Sequence, residues 1–334
     1  MTATQLRRVA SRIFDRPQLI EPGTGRRVVE ALDGRLGPAS FDLSGLDQSG
    51  VGAELQVERP APGSTRERDR RARRRDALLG ALRASAWEDD DCLREPEERP
   101  RKPFAFDAGS GMAVVPVEGE LVHRFGHLDP YSGMTGYDGL IRKFRACRTD
   151  EEVAGVLVDG DSPGGEVAGC EACAEELRRL AAEKPVWWIA NEMTCSAAYW
   201  LASAAHQIVA PPAAQIGSIG VLLMHVDMSA WLDAAGLKVT FIQAGAHKVD
   251  GNPYAPLPDA VRADLQAEIL KLYGRFVGAV ATNRKLPEAQ VRGTEARVYL
   301  AEDALEAGLI DAVAFPLDAA AEFARQLIAE RGSA

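Results

Sequence analysis

The sequence predicts an α/β fold with repeated βαβ units and a mainly parallel sheet, preceded by a weakly ordered N-terminal arm. Three observations predict it. From residue 112 onward, apolar runs recur at 112–117, 153–158, 185–190, 207–210, 218–224 and 237–243. Helical stretches near 136–148, 167–182, 196–205 and 227–235 separate them. Strands that alternate with helices of this length form parallel crossovers, and near-continuous apolar runs mark strands buried on both faces. The third observation is negative: residues ahead of 108 lack the alternation and carry charge runs and prolines instead.

Residues 1–58 are mixed, with short apolar patches such as Val28-Val29 and Ala31-Leu32. Residues 59–108 read as a linker: seven arginines fall between Arg66 and Arg75, a short helix is expected at 77–86, and Glu88-Asp89-Asp90-Asp91 precedes Pro96, Pro100 and Pro103. Blocks of like charge repel and stay solvated, so the arginine run reads first as a flexible segment and second as a docking arm. Residues 109–316 hold the strand–helix pattern, and 317–334 read as a C-terminal helix or tail. Within the domain, 258–284 predicts a long amphipathic helix. Its apolar residues Val261, Leu265, Ile269, Leu272, Phe276 and Val280 repeat at three- and four-residue spacing, and Pro258 suits its first turn.

Composition narrows the class. A chain of 334 residues with 46% hydrophobic and 26% charged residues is ordinary for a globular protein and long enough for one large domain with an appendage. A net charge of −10 argues against nucleic acid as a partner. Five cysteines at unpatterned positions point to a reducing compartment and not to a disulfide framework. No hydrophobic signal core follows Met1, and no apolar run is long enough to span a bilayer, so neither secretion nor a membrane partner is expected.

Three short motifs carry chemistry. In Asp159-Gly-Asp-Ser-Pro-Gly-Gly-Glu166 a Gly-Gly pair follows an apolar strand and precedes a helix. Glycine permits close backbone approach and positive φ, and a helix start adds unpaired N–H groups, the ingredients of an anion-stabilising turn. Such turns are also common as plain connections. Ser196, in Met193-Thr-Cys-Ser-Ala-Ala198, stands among small residues where a helix begins, and on spacing alone it reads as a helix cap. Lys248 follows the apolar run 237–243 in a Gly-rich loop. A lysine acts as a base only when part of it is neutral, which burial promotes. Ser218, in Gly217-Ser-Ile-Gly220, reads as a turn serine entering a strand.

Taken with Met112-Ala-Val-Val-Pro-Val-Glu-Gly119, Pro130-Tyr-Ser-Gly-Met-Thr-Gly-Tyr137, Gly217-Ser-Ile-Gly-Val221 and Gly245-Ala-His-Lys-Val-Asp-Gly-Asn-Pro-Tyr254, these motifs resemble the signal peptide peptidase A family of serine peptidases. The resemblance is to its phage branch, the head-maturation proteases of lambda-type phages, over about 109–315. It implies the Clp-protease/crotonase fold and a Ser-Lys mechanism. Ser196 would be the nucleophile, Lys248 the general base and Ser218 the group orienting the lysine. The oxyanion hole would comprise the N–H groups of Gly165 and Ala197, with Gly164 shaping the loop. The resemblance implies no cofactor and no metal. It further implies scaffold, portal and capsid proteins as substrates or partners, a homo-oligomer, and a site of action inside proheads in the host cytoplasm. Because the sequence stops soon after the protease pattern, scaffold function is expected to come from a separate gene or an internal product.

Other patterns are weaker. Cys170-Glu-Ala-Cys173 lies in a predicted helix without a second pair, so packing is expected ahead of metal or redox use. His123 and His127 have helical metal spacing but lack the companion glutamate. Asp159 and Asp161 read as structural. Three alternatives stand beside the phage peptidase: a cellular peptidase of the same family, a catalytically silent assembly protein, and an acyl-CoA enzyme of the crotonase fold. The last shares the oxyanion hole but has no use for a Ser-Lys pair.

Overall fold

A computed structural model describes residues 102–332, except 128 and 131–132, together with a strand at 18–20. The arginine run and the helix expected at 77–86 lie outside the described residues. Strands and helices alternate as the sequence predicts, and the element order is β1 (Gln18–Ile20), β2 (Ala105–Asp107), β3 (Met112–Val122), β4 (Met134–Gly136), α1 (Tyr137–Thr149), β5 (Gly155–Glu166), α2 (Cys170–Ala181), β6 (Val186–Cys195) and α3 (Ala197–Ala202). It continues through β7 (Gln207–Ala210), β8 (Gln215–Gly217), α4 (Ser229–Ala234), α5 (Asp259–Arg284), α6 (Glu288–Gly293), β9 (Val298–Leu300), α7 (Ala301–Glu306), β10 (Ala312–Val313) and α8 (Pro316–Gly332).

The strands form one sheet whose central path runs β10-β7-β6-β5-β3-β2. Every pairing along it is parallel except that of β2 with β3. β4 and β8 extend the strands β3 and β6 in parallel, while β9 pairs β8 and β1 pairs β5 antiparallel. Side chains alternate across the sheet. Ala113, Val115, Val117, Val156 and Val158 face the helices α1, α2, α3 and α5 in the larger core. Met112, Val114, Leu157, Trp187 and Ile189 face α8, which buries Ala320, Phe323 and Leu327 against them. Stacked rings lock both layers: Trp200 on Phe276 at 4.8 Å and Trp187 on Phe323 at 5.0 Å between centroids.

Two expected strands are not formed. The run 218–224 continues past β8 without joining the sheet beyond an isolated bridge at Leu222, and 237–243 has no regular structure. The reason is the edge: β8 uses one side for β6 and the other for β9, so the sheet offers the following segment no free partner there. The long helix is present, but only its C-terminal half is sunk in the core. Phe276 and Val280 are buried, whereas Val261, Leu265 and Ile269 on the same stripe are half-buried.

The N-terminal arm also differs from expectation in one place. Gln18–Ile20 forms a strand, pairing with Glu166, Gly165 and Gly164 of β5.

Candidate active site

Ser196 stands at the turn from β6 into α3. Cys195 is paired in register with Gly217 of β8, and the Ser196 N–H donates to the Gly217 carbonyl at 2.7 Å. The backbone then turns sharply, to φ 54° and ψ −119° at Ser196. That conformation costs a residue bearing a Cβ about 1–3 kcal/mol and persists only where the surroundings impose it. Here they do: Ala197 to Ala202 are all buried, and the Trp200 N–H donates to the Ser196 carbonyl at 2.9 Å. The Ser196 hydroxyl makes no capping bond to the helix. The helix-cap reading therefore fails. A strained strand-to-helix turn holding a serine at its apex is the arrangement that presents a nucleophile.

The Gly-Gly pair is not the strand-to-helix turn expected from sequence: both glycines lie within β5, which runs on to Glu166, and the next helix begins only at Cys170. In the β5–β6 register Ser162 is opposite Thr194, the last pair of the two strands, and Gly164 and Ser196 each lie two residues past that pair. Ser162 fixes the strand here, donating to the Gly119 carbonyl at 2.6 Å and accepting from the Gly164 N–H at 3.2 Å. Gly164 adopts φ +105°, which favours glycine. A side chain at Gly165 would collide with the Leu121 backbone of β3. The two glycines thus have different physical reasons: positive φ at one and close approach at the other. The Gly164 N–H is already engaged by Ser162.

Ser218 is the next residue after the carbonyl that holds Ser196. It is 4% exposed, with φ 52°, and its N–H donates to the Arg297 carbonyl at 2.8 Å. Two buried serines with left-handed backbones therefore sit side by side on paired strand ends.

Lys248 is placed differently. It lies in an exposed turn, its N–H donating to the Gly245 carbonyl at 3.2 Å. Among the described residues, no hydrogen bond or ion pair joins its amine to Ser196 or Ser218. Among the described residues, the segment that carries Lys248 joins no strand of the sheet and leaves its side chain exposed. A clip shapes that turn: His247 Nδ1 lies 2.7 Å from Asp250 Oδ2, and this partner raises the histidine above its ordinary pKa.

Other residues resolve as packing. Cys170 and Cys173 are buried in α2, and burial pushes the Cys170 thiol up to about 12, so it stays protonated. Asp159 accepts from the Asn191 amide at 2.9 Å. His206 accepts the Val186 N–H at 3.1 Å and His225 lies 3.0 Å from the Asn252 carbonyl.

Two supports were not foreseen. Gly217, at φ +110°, supplies the carbonyl that anchors Ser196, and the Gly-Ser-Ile-Gly spacing was the available signal. Glu166, 1% exposed, accepts the His123 N–H at 2.8 Å through its carboxylate, while its carbonyl accepts from the Tyr137 hydroxyl at 2.8 Å. These bonds hold the end of β5 just past the Gly-Gly pair, and nothing local in the sequence announces them.

The model for Peptidase family S49 matches residues 178–329. Capsid assembly protease C of Escherichia phage lambda is 38% identical over 311 residues, 93% of this chain and 64% of that protein. Head-tail preconnector protein GP5 of Enterobacteria phage P21 is 37% identical over 322 residues, 96% of this chain and 58% of that protein. Protease 4 of Haemophilus influenzae is 28% identical over 251 residues, 75% of this chain and 39% of that protein. The chain therefore spans about three-fifths of the length of the two phage relatives. A solved mutant ClpP1 from Listeria monocytogenes covers 62% of this chain and 94% of its own at 12% identity, with a TM-score of 0.39, too slight a likeness to carry an argument. Residues 178–329 thus match a Peptidase family S49 domain, and nearly the whole chain is similar to the two phage relatives.

Proposed function

We propose that this chain is a serine endopeptidase of the Ser-Lys type that cleaves proteins of the assembling phage head. The observation that carries the reading is the strained, non-capping Ser196, two residues past the last β5–β6 pair on one strand as Gly164 is on the other. A peptide carbonyl seated between them would be attacked by the Ser196 hydroxyl. Its oxygen would take up negative charge opposite the N–H groups of Gly165 and Ala197, where preorganised donors lower the barrier most. Lys248 accepts the hydroxyl proton and returns it to the leaving amine, and Ser218 orients the lysine amine. Scaffold protein is the proposed substrate, with portal and capsid proteins as further substrates or partners. The printed names of the two phage relatives, a capsid assembly protease and a head-tail preconnector, support that choice. The proposed place of action is the prohead in the host cytoplasm. No helix among the described residues is long and apolar enough to cross a membrane.

Self-association belongs to the same reading. Leu222, Trp231, Leu237, Val239, Phe241, Ile242, Tyr254 and Leu270 are all exposed, and all fall in the stretch of sequence 222–270 that includes Lys248. Phe241 and Tyr254 meet at 6.1 Å between ring centroids while both stay exposed, and exposed apolar groups of this kind favour a protein interface. A second copy of the chain is the occupant we propose, because covering this face also supplies the desolvation that Lys248 needs.

The test incubates the purified chain with the scaffold protein of the same phage. Wild type should cut it, Ser196→Ala and Lys248→Ala should leave it intact, and activity per chain should fall on dilution as copies separate. Full cutting by Ser196→Ala would end the proposal. A silent assembly role is disfavoured because such a protein gains nothing from holding a serine in a strained turn.

A further inference from the structure

The strand Gln18–Ile20 lies where the proposed reaction needs a substrate. A strand inside a sheet has two hydrogen-bonding edges. At Gly164 and Gly165 one edge of β5 is taken by Glu120 and Leu121 of β3. Ile20 and Leu19 pair with the same two glycines, so they occupy the opposite edge. That is the edge flanked by β6 as far as Thr194, two residues before Ser196. The N-terminal strand therefore fills the space that β6 vacates as it turns into the nucleophile.

Its direction matters as much as its place. Ile20 is opposite Gly164, and Gln18 is opposite Glu166. The segment runs antiparallel to β5, with its C-terminal end toward the Gly-Gly pair and Ser196. A substrate whose scissile carbonyl enters the Gly165–Ala197 hole would lay the residues preceding that carbonyl along the same edge with the same polarity. Strand addition of this kind draws its affinity from main-chain hydrogen bonds, so it tolerates varied sequence. The segment is also bracketed by Pro17 and Pro22. Proline disfavours helix in the residue before it and cannot extend a ladder, which suits this stretch to a short isolated strand.

We propose that Gln18–Ile20 is a tethered occupant of the acyl-side substrate groove, which free peptide or substrate protein must displace. The inference rests on the peptidase reading for its meaning, but its first test does not depend on catalysis. In antiparallel pairing, alternate residues exchange hydrogen bonds, so the ladder donors are either Leu19 or its two neighbours. The double variant Leu19→Pro with Ile20→Pro removes a donor in either case. It is made in the full chain carrying Ser196→Ala, and binding of a labelled synthetic peptide spanning Phe14–Arg26 is measured by fluorescence polarisation. A tether holds its segment at high local concentration, so the unsubstituted arm should block the peptide and the proline variant should bind it at least about tenfold tighter. Equal affinities, or no binding to either, would overturn the proposal. A second readout uses the full chain with its serine intact: the proline pair should speed covalent labelling of Ser196 by a serine-directed probe about tenfold, and an unchanged rate would count against occupancy. If the peptide binds as expected but no variant labels, the groove assignment stands and the peptidase reading fails.

Discussion

Replacing Ser196 by glycine should make the protein more stable than replacing it by alanine, while both changes abolish turnover. The magnitude follows from the turn. At φ 54° and ψ −119° an alanine keeps its Cβ in a region that costs about 1–3 kcal/mol. Glycine escapes that strain but loses about 0.5–1 kcal/mol through its greater backbone freedom when unfolded. Both variants lack the hydroxyl, and neither disturbs a capping bond, since Ser196 makes none. The difference should therefore favour glycine by about 1 kcal/mol, which in a chain of this size raises the melting temperature by about 2 °C. Thermal unfolding of the two variants by circular dichroism, checked for reversibility, reads it directly. An alanine variant as stable as the glycine variant, or more so, would refute the claim that this turn stores strain for presenting the serine.

Gly165→Ala should damage folding as well as activity, because its methyl group meets the Leu121 backbone and β3 must shift. Overpacking of this kind costs about 1–3 kcal/mol, and denaturant unfolding should show it. His247 should titrate above the ordinary histidine value in an NMR pH series, and Asp250→Asn should return it toward that value. With the folded value raised, the clip contributes fully below the ordinary histidine pKa and is lost as pH rises through the raised one. An unshifted His247 resonance would remove the clip from the account of the Lys248 turn. Ile242→Asp, at a side chain fully exposed in the single chain, should weaken self-association in sedimentation without lowering the melting temperature of the dissociated protein.

Much of the fold was legible because it is written in local pattern. The apolar runs at 112–117, 153–158, 185–190 and 207–210 all became strands of the sheet. The helix expected from 167 begins at Cys170 because Gly169, at φ +92°, turns the chain first. What local pattern does not contain is the supply of partners. The run 237–243 is as apolar as a strand, but β9 already occupies the free edge of β8. Gln18–Ile20 gave no signal beyond two apolar residues between prolines, and its pairing spans well over a hundred residues of sequence. The same limit divides the site. Ser196, Ser218 and the two glycines sit on ends of paired strands, so their assembly follows from the sheet. Lys248 rides on a segment with no strand partner among the described residues, and motif alone pointed to it.

Covalent labelling of Ser196 by a serine-directed probe separates a lysine base from a histidine one. It compares wild type, Lys248→Ala, Lys248→Arg and the five variants in which His123, His127, His206, His225 or His247 is replaced. Arginine remains protonated and cannot accept the hydroxyl proton. The account predicts rapid labelling at Ser196 in wild type and in every histidine variant, and none above background with either lysine substitution. Normal labelling in Lys248→Ala, together with loss of labelling in one histidine variant, would contradict it.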